Sequence, residues 1–280
     1  MAQRQFELTA RKGLEPLRVN SKVGKLEVTK NNKEVRVENS FIAAAFDATT
    51  GQMTSLKLNG MDVIYGKEGF LYDNFRWIEN ENGFRNTDNG LENIGTCEAV
   101  ALKDGKVSVH TTRMGSLCDS EITYVFYPNG FMDMDVKLTP KAKDLRRTGL
   151  VCSINSALDQ VDYYAYGPWE NYIDRKDACM IGRYQTTVDE MMEKYIKPQS
   201  MGNREGLREL KLTNKQGQGI CIETQGGVSF SAQRYTDVDL MNAKHAWELQ
   251  KRPCIILHLD AQMENDAWTF LQFPCMLSIH

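Results

Sequence analysis

Tyr163-Tyr164-Ala165-Tyr166-Gly167-Pro168-Trp169-Glu170-Asn171-Tyr172-Ile173-Asp174-Arg175 gathers five aromatics, a Gly-Pro break and an Asn/Asp/Glu/Arg set within thirteen residues. The Gly-Pro pair marks a turn, because the residue before a proline is pushed out of helical geometry. The sequence beyond it is aromatic and polar together. Two readings are open on chemistry alone. One is a strand end, an aromatic core plug and a salt-bridged turn. The other is a surface that stacks on a flat ligand and hydrogen-bonds around its rim.

Outward from this stretch the texture is that of strands. Leu26-Glu27-Val28 and Val35-Arg36-Val37-Glu38 alternate apolar and polar around a turn at Asn31-Asn32-Lys33. Phe41–Phe46 and Met53–Leu58 flank a hairpin at Thr50-Gly51, and Asn59-Gly60 is a second hairpin signal before Met61–Tyr65. Ile122, Tyr124 and Phe126 share a face, Pro128-Asn129-Gly130 turns the chain, and Phe131–Leu138 returns with Asp133 and Asp135 toward solvent. Gly226-Gly227 reads as a hairpin turn into Val228-Ser229-Phe230-Ser231, and Ile255–Leu259 reads as the last unambiguous strand before a short tail. Val188–Tyr195 is the one stretch expected to be a helix, about two turns long, with a further short helical turn possible within Thr236–His245. Strands recurring every 8 to 12 residues between turn signals suggest a sandwich or barrel. Asp73–Gly90 breaks the rhythm. It is too polar for a strand and too rich in Asn and Gly for a helix, so it reads as a long loop.

Composition narrows the function classes. The chain has 280 residues, 41% hydrophobic and 25% charged, with a net charge of -3. These are the proportions of a globular protein with a sizeable core, and no long basic run points to nucleic acid or to an anionic membrane surface. No stretch approaches the ~18 apolar residues of a membrane span. The first residues lack the apolar core of a signal peptide, which leaves cytoplasm and periplasm both open as locations. Seven widely spaced cysteines with no C-x-x-C pair fit neither a disulfide framework nor a zinc site, and most are expected to be buried thiols. No His/Cys/Asp cluster has ligand spacing, so neither metal nor cofactor is expected.

The central stretch also resembles a known family. Gly167-Pro168-Trp169-Glu170-Asn171-Tyr172-Ile173-Asp174-Arg175 is similar to the G-P-x-E-N-Y-x-D-R signature in the C-terminal β-sandwich domain of glycoside hydrolase family 2 β-galactosidases. Other stretches agree in order. Phe46-Asp47 through Thr50-Gly51 to Ser55-Leu56 resembles that domain's opening hairpin, and Pro198-Gln199-Ser200-Met201-Gly202-Asn203-Arg204 resembles its P-Q-E-N-G-N-R motif. Phe230-Ser231 with Arg234-Tyr235, and Leu257-His258-Leu259-Asp260, follow at the expected distances. The resemblance runs from about residue 30 to 268.

The resemblance implies an all-β fold, a large antiparallel supersandwich of the galactose mutarotase-like type over residues 25–280. Residues 1–24 would be a leader or linker from a preceding β domain. It implies a non-catalytic domain that shapes the active-site mouth of a β-galactosidase. Its partners would be the catalytic barrel and other domains of the parent enzyme, with a galactoside at the shared mouth. A retaining glycosidase needs two carboxyl groups about 5–5.5 Å apart, and in the family these belong to the barrel that precedes this sandwich. No barrel is encoded in these residues, so no catalytic residue is assigned and the chain alone is expected to be inactive.

The substrate-side candidates are Glu79, Asn80, Glu81, Trp169, Glu170, Asn171, Arg175, Arg204 and His258. The sequence departs from the family pattern in three places. Ile78-Glu79-Asn80-Glu81 stands where the family has x-D-N-D, Ser200-Met201 replaces Glu-Asn, and Ile255-Ile256 stands where some members carry a tryptophan. The alternative is a stand-alone sugar-binding or aldose 1-epimerase-like module. It would use the Tyr163–Tyr172 belt, Arg175, Arg204 and His258, with His258 paired to Glu170 or Glu223 as acid and base. Within the motif itself, Glu170, Asn171, Asp174 and Arg175 are expected to be mainly architectural. Asp174-Arg175 and Arg204 would tie two loops together, so that Arg175→Ala costs roughly 2–4 kcal/mol.

Overall fold

The computed structural model describes Gln5 and residues 24–79, 87–142, 145–263 and 271–279. Residues 1–4 and 6–23 of the expected leader, and Asn80 and Glu81 of the candidate site, lie outside the described residues.

The first sheet is an antiparallel meander of β1 (Glu27–Lys30), β2 (Glu34–Glu38), β3 (Ile42–Asp47), β4 (Met53–Leu58) and β5 (Met61–Asp62), paired in chain order. The second holds β6 (Leu71–Asp73), β7 (Leu91–Ala101), β8 (Val107–Gly115), β9 (Cys118–Phe126), β10 (Met132–Pro140) and β11 (Arg147–Asn155). It continues through β12 (Gln160–Gly167), β13 (Met180–Thr187), β14 (Arg204–Thr213), β15 (Gly219–Gln233), β16 (Cys254–Met263) and β17 (Leu271–Ile279). Its main path runs β13-β12-β14-β15-β17-β10-β9-β8-β7, and β16, β11 and β6 branch from β15. Among the described residues every ladder is antiparallel, in keeping with strands that bury one face and wet the other. In β9 and β10 buried residues alternate with half-buried or exposed ones, so Met132, Met134 and Val136 face the core and Asp135 faces water.

The two sheets meet through large apolar side chains. The Phe46 ring lies 5.1 Å from that of Tyr124 and 6.2 Å from that of Phe126, all three buried. Each fully buried side chain of this size contributes about 1.5–3 kcal/mol by leaving water, so this contact holds the small sheet on the large one. A second, smaller core unites Phe75, Trp77, Met201, Tyr235 and Leu240. It fastens the segment after β6 and the segment before β14 to the helix α1 (Asp237–Asn242), which opens on a capping box between Thr236 and Asp239. All six cysteines whose side chains are described are buried.

Three expectations are corrected. Val188–Tyr195 is a single turn, closed by Glu190 and Met191 N–H donating to the Thr187 carbonyl, with Val188 and Met191 buried. Two turns are too short to stand as a helix unless packing demands it, and here packing demands only two anchors. Helix forms instead at 237–242, where the cap is. Gly226-Gly227 is no hairpin turn but the middle of β15. Ile220–Thr224 of that strand pair with β17, and Ser229–Gln233 pair with β16. Gly226 adopts φ +88 at the change of partner, a conformation that costs other residues strain. The chain beyond β16 does not end in a tail, because β17 inserts between β10 and β15. The 73–90 stretch leaves β6 as a loop whose first residues pack inward. Asn74, Phe75, Arg76 and Trp77 are buried, because Trp77 and Phe75 belong to the second core.

Candidate functional site

β12 ends at Gly167, the Gly167–Pro168 peptide is cis, and the motif loop then turns back onto the strand. Asn171 fixes that turn. Its Nδ2 donates to the carbonyls of Tyr166 at 3.2 Å and Trp169 at 2.9 Å, and its Oδ1 accepts from Glu205 N–H at 2.8 Å. Asn203 answers from the second motif. Asn171 N–H donates to the Asn203 carbonyl at 2.9 Å, and Asn203 Nδ2 donates to the Asn171 carbonyl at 2.8 Å. Both side chains are buried, so a short amide satisfies backbone groups that a turn leaves without partners.

Glu170 adds a second tie. Its Oε2 accepts from Gly202 N–H at 2.8 Å, and its Oε1 accepts from both Arg175 Nη2 and the Tyr195 hydroxyl. Burial, followed by the bond to Glu170, raises the Tyr195 phenol above its ordinary range. Arg175 lies 4.8 Å over the Tyr172 ring, with Arg76 4.5 Å over the same ring. Tyr172 itself donates to the Ser200 carbonyl at 3.2 Å.

The two motif loops are therefore joined, but by Asn171–Asn203 and Glu170–Gly202. Asp174 is exposed and Arg175 keeps 52% of its side chain in water, so neither is the expected buried tie. Arg204 is buried, donating from Nε to Tyr163 Oη at 3.2 Å and from Nη1 to the Asn203 carbonyl at 3.1 Å.

Trp169 stands 71% exposed, with Ile173 at 55% and Ile196 at 89%. Trp169 and Ile196 each adjoin one partner of the Glu170–Tyr195 contact. The motif loop and the segment between β13 and β14 thus both present apolar side chains to solvent. Glu79 sits at the far side of the second motif, where its N–H donates to Gln199 Oε1 at 3.3 Å and its Oε2 lies 3.8 Å from Lys197 Nζ.

His258 belongs elsewhere. It is buried on β16, with Nε2 3.4 Å from Arg147 Nη1 and Nδ1 3.5 Å from Asp73 Oδ2. Its carboxylate neighbours are Asp73 and Asp237, not the Glu170 or Glu223 that the epimerase-like alternative would pair with it. Burial, with Arg147 beside it, pushes its pKa down to about 3, so the imidazole is neutral at neutral pH.

Sequence reasoning did not find this cluster. Arg147, 1% exposed, reaches Asp73 at 3.3 Å, Asp237 at 3.0 Å and Asp260 at 3.2 Å. Burial works against its charge, but the three carboxylates hold the guanidinium protonated above its ordinary range. Burial pushes Asp260 up to about 7 against the pull of Arg147, with Asp73 and Asp237 adding to the rise. Asp237 is held below the usual carboxylate range although burial opposes it, because Arg147 and His258 face it. A missing Cβ makes room for the arrangement. Any side chain on Gly149 would meet Asp260 Oδ1 at 2.3 Å. The cluster anchors the second core as well, since Asp237 Oδ1 accepts from Trp77 N–H at 3.0 Å. The available signal was the placing of Arg147 and Asp260 beside apolar strand runs, where a charge has to be paired.

Beside the cluster lies a cleft of about 500 Å³. It opens between β12, β14, β15 and β16, where β14 shifts register twice and β15 changes partner. Tyr166, Lys176, Glu205, Arg208, Ser229 and Asp260 are among the residues that line it.

The β-galactosidase small-chain family model matches residues 38–265. Curated relatives include the β-galactosidase of Priestia megaterium, 24% identical over 98% of this chain and 28% of that protein. The β-galactosidase of Pseudoalteromonas haloplanktis is 26% identical over 87% of this chain and 25% of that protein. The chain spans about a quarter of the length of each. Among solved structures, a putative aldose 1-epimerase from Escherichia coli K12 covers 91% of the chain at TM-score 0.50 and 9% identity. The structure of HI1317 covers 94% at TM-score 0.52 and 10% identity. At such identities these two likenesses concern the fold, which is of the aldose-epimerase, or galactose mutarotase, type. With most of its length matched, the chain belongs to the β-galactosidase small-chain family.

Proposed function

We propose that residues 25–280 form a non-catalytic C-terminal domain of a glycoside hydrolase family 2 β-galactosidase. In this reading the domain packs on a catalytic barrel supplied by the rest of the enzyme and shapes the mouth at which a galactoside enters. The observation that carries the proposal is the apolar set Trp169, Ile173 and Ile196, exposed on the motif loop and on the segment before β14, which Glu170 joins to each other through Tyr195 and Gly202. Exposed apolar groups on an ordered scaffold fit a surface that another domain covers. The family match and the quarter-length span of the relatives support the same reading. Glu170, Asn171, Arg175 and Arg204 then act at the mouth chiefly by fixing loop shape, and Trp169 belongs to the covered surface.

A domain exchange tests this. The matching region of the Priestia megaterium enzyme is replaced by this chain, and hydrolysis of a nitrophenyl galactoside is measured. The chimera is expected to be active. Trp169→Asp is expected to lower its activity while leaving the melting temperature of the isolated chain unchanged. A folded chimera whose activity ignores Trp169→Asp would overturn the assignment of that surface.

A further inference from the structure

Asp237 stands at the joint between the buried ion cluster and the two motif loops. It is the first residue of α1, and the capping box between Thr236 and Asp239 fixes its backbone. Its buried carboxylate serves three donors. Oδ2 accepts from Arg147 Nη1 at 3.0 Å, Oδ1 accepts from Trp77 N–H at 3.0 Å, and the Ser200 hydroxyl donates to the same carboxylate. One side chain thereby holds β11, the segment after β6 and the second motif to the start of the helix.

From Trp77 the connection runs outward to the surface. Ser200 N–H donates to the Trp77 carbonyl at 2.8 Å, and Trp77 Nε1 donates to the Pro198 carbonyl at 3.2 Å. Trp77 therefore grips the second motif with its main chain and with its ring. On the far side of that motif, the Ser200 carbonyl accepts from the Tyr172 hydroxyl at 3.2 Å, and Gly202 N–H donates to Glu170 at 2.8 Å. Tyr172 and Glu170 belong to the loop that exposes Trp169 and Ile173, and Glu170 also accepts from Tyr195, the neighbour of Ile196. Asp73 faces Arg147 as well, but its other oxygen accepts from Phe75 N–H at 3.2 Å, two residues before the clamp.

Ser200 fits this arrangement. The family signature carries a glutamate at this position, and a second carboxylate would face Asp237 in a buried place where like charges repel. A serine hydroxyl donates there instead. We propose that Asp237 is a positioning residue for the surface of Trp169, Ile173 and Ile196, which it fixes through Trp77 and Ser200, with Arg147 holding Asp237 in place. The use of that surface rests on the domain reading above, whereas its coupling to Asp237 is a property of this chain. A contiguous hydrogen-bond network can carry such coupling, and a difference between matched variants is what demonstrates it.

Hydrogen exchange read by mass spectrometry on the 280-residue chain tests the proposal. Peptides covering 168–175 and 198–203 are compared with peptides from β9 and β10. Asp237→Ala is expected to speed exchange in both motif peptides about 10-fold, the effect of losing a hydrogen bond to a charged group, and to leave β9 and β10 as they are. Asp73→Ala takes a carboxylate from the same guanidinium without touching the Trp77 clamp, so its motif peptides should exchange as in wild type. Asp237→Asn keeps an acceptor for Trp77 N–H and should recover protection. Should Asp237→Ala not fold, Trp77→Phe decides alone, because it removes the bond to the Pro198 carbonyl and should speed exchange in 198–203. Unchanged motif exchange in Asp237→Ala or Trp77→Phe, equal acceleration in Asp73→Ala, no recovery in Asp237→Asn, or acceleration spread evenly over β9 and β10 each overturns the proposal. An inactive chimera with the expected exchange pattern intact would reject only the domain assignment.

Discussion

Replacing Asp260 by Asn probes the buried cluster through its protons. Three carboxyl groups face one guanidinium, and Asp260 has neither exposure nor a hydrogen bond to its oxygens. Burial pushes its pKa from 3.8 to about 7, so at pH 5 the folded chain holds a proton on Asp260 that the unfolded chain has released. Stability linked to this group is fully present below pH ~4 and is lost as pH rises to ~7. Over about three pH units, at about 1.4 kcal/mol each, the loss is about 4 kcal/mol. Asn copies the neutral carboxyl and does not titrate, so the difference between the two proteins isolates the effect. Urea unfolding at several pH values from 4 to 8.5 is the assay. Wild type should lose ground to Asp260→Asn steadily between pH ~4 and ~7, and the difference should be flat above that. A difference that is constant, or that moves in favour of wild type as pH rises, would mean that Asp260 is an ionised partner of Arg147 and that the protonation argument is wrong.

Further outcomes follow from the same geometry. His258, with its pKa down to about 3, contributes stability that is present above pH ~6.5 and lost on acidification. Wild type should therefore fall relative to His258→Gln by up to about 1.4 kcal/mol per unit as pH drops from ~6.5 toward ~3, read from the same urea series. Asn171→Ala strips partners from buried backbone groups and should cost about 2–3 kcal/mol by thermal or urea unfolding. Arg175→Ala removes an ion pair that is half in water and should cost about 1 kcal/mol or less, below what the sequence suggested.

Strand alternation in β9 and β10 was legible because one face is buried and the other wet, which leaves a period of two in the residues. The fold type and the family were legible from Gly167–Arg175 and Pro198–Arg204, whose rare residue types stand in order. Gly226-Gly227 misled because glycine serves a hairpin turn and a kinked strand equally well, and only the partner change from β17 to β16 separates them. The cluster around Arg147 was not legible. Asp73, Arg147, Asp237 and Asp260 come from β6, β11, α1 and β16, and a lone charge on a strand reads as a solvent face until its neighbours are known. The cleft was hidden for the same reason, since Tyr166, Glu205 and Asp260 meet only where the sheet divides. Asp174 and Arg175 drew attention as charged members of a rare motif, yet the buried work falls to the neutral amides of Asn171 and Asn203, which can donate and accept at once.

The most direct measurement on the central claim is complementation in trans. The Priestia megaterium β-galactosidase is shortened by the region that this chain matches, and nitrophenyl galactoside hydrolysis is followed for the shortened enzyme, for this chain, and for the two mixed. The account predicts that neither protein alone is active and that mixing restores hydrolysis in proportion to complex formed. Hydrolysis by the purified chain alone, or full activity of the shortened enzyme without it, would contradict the account.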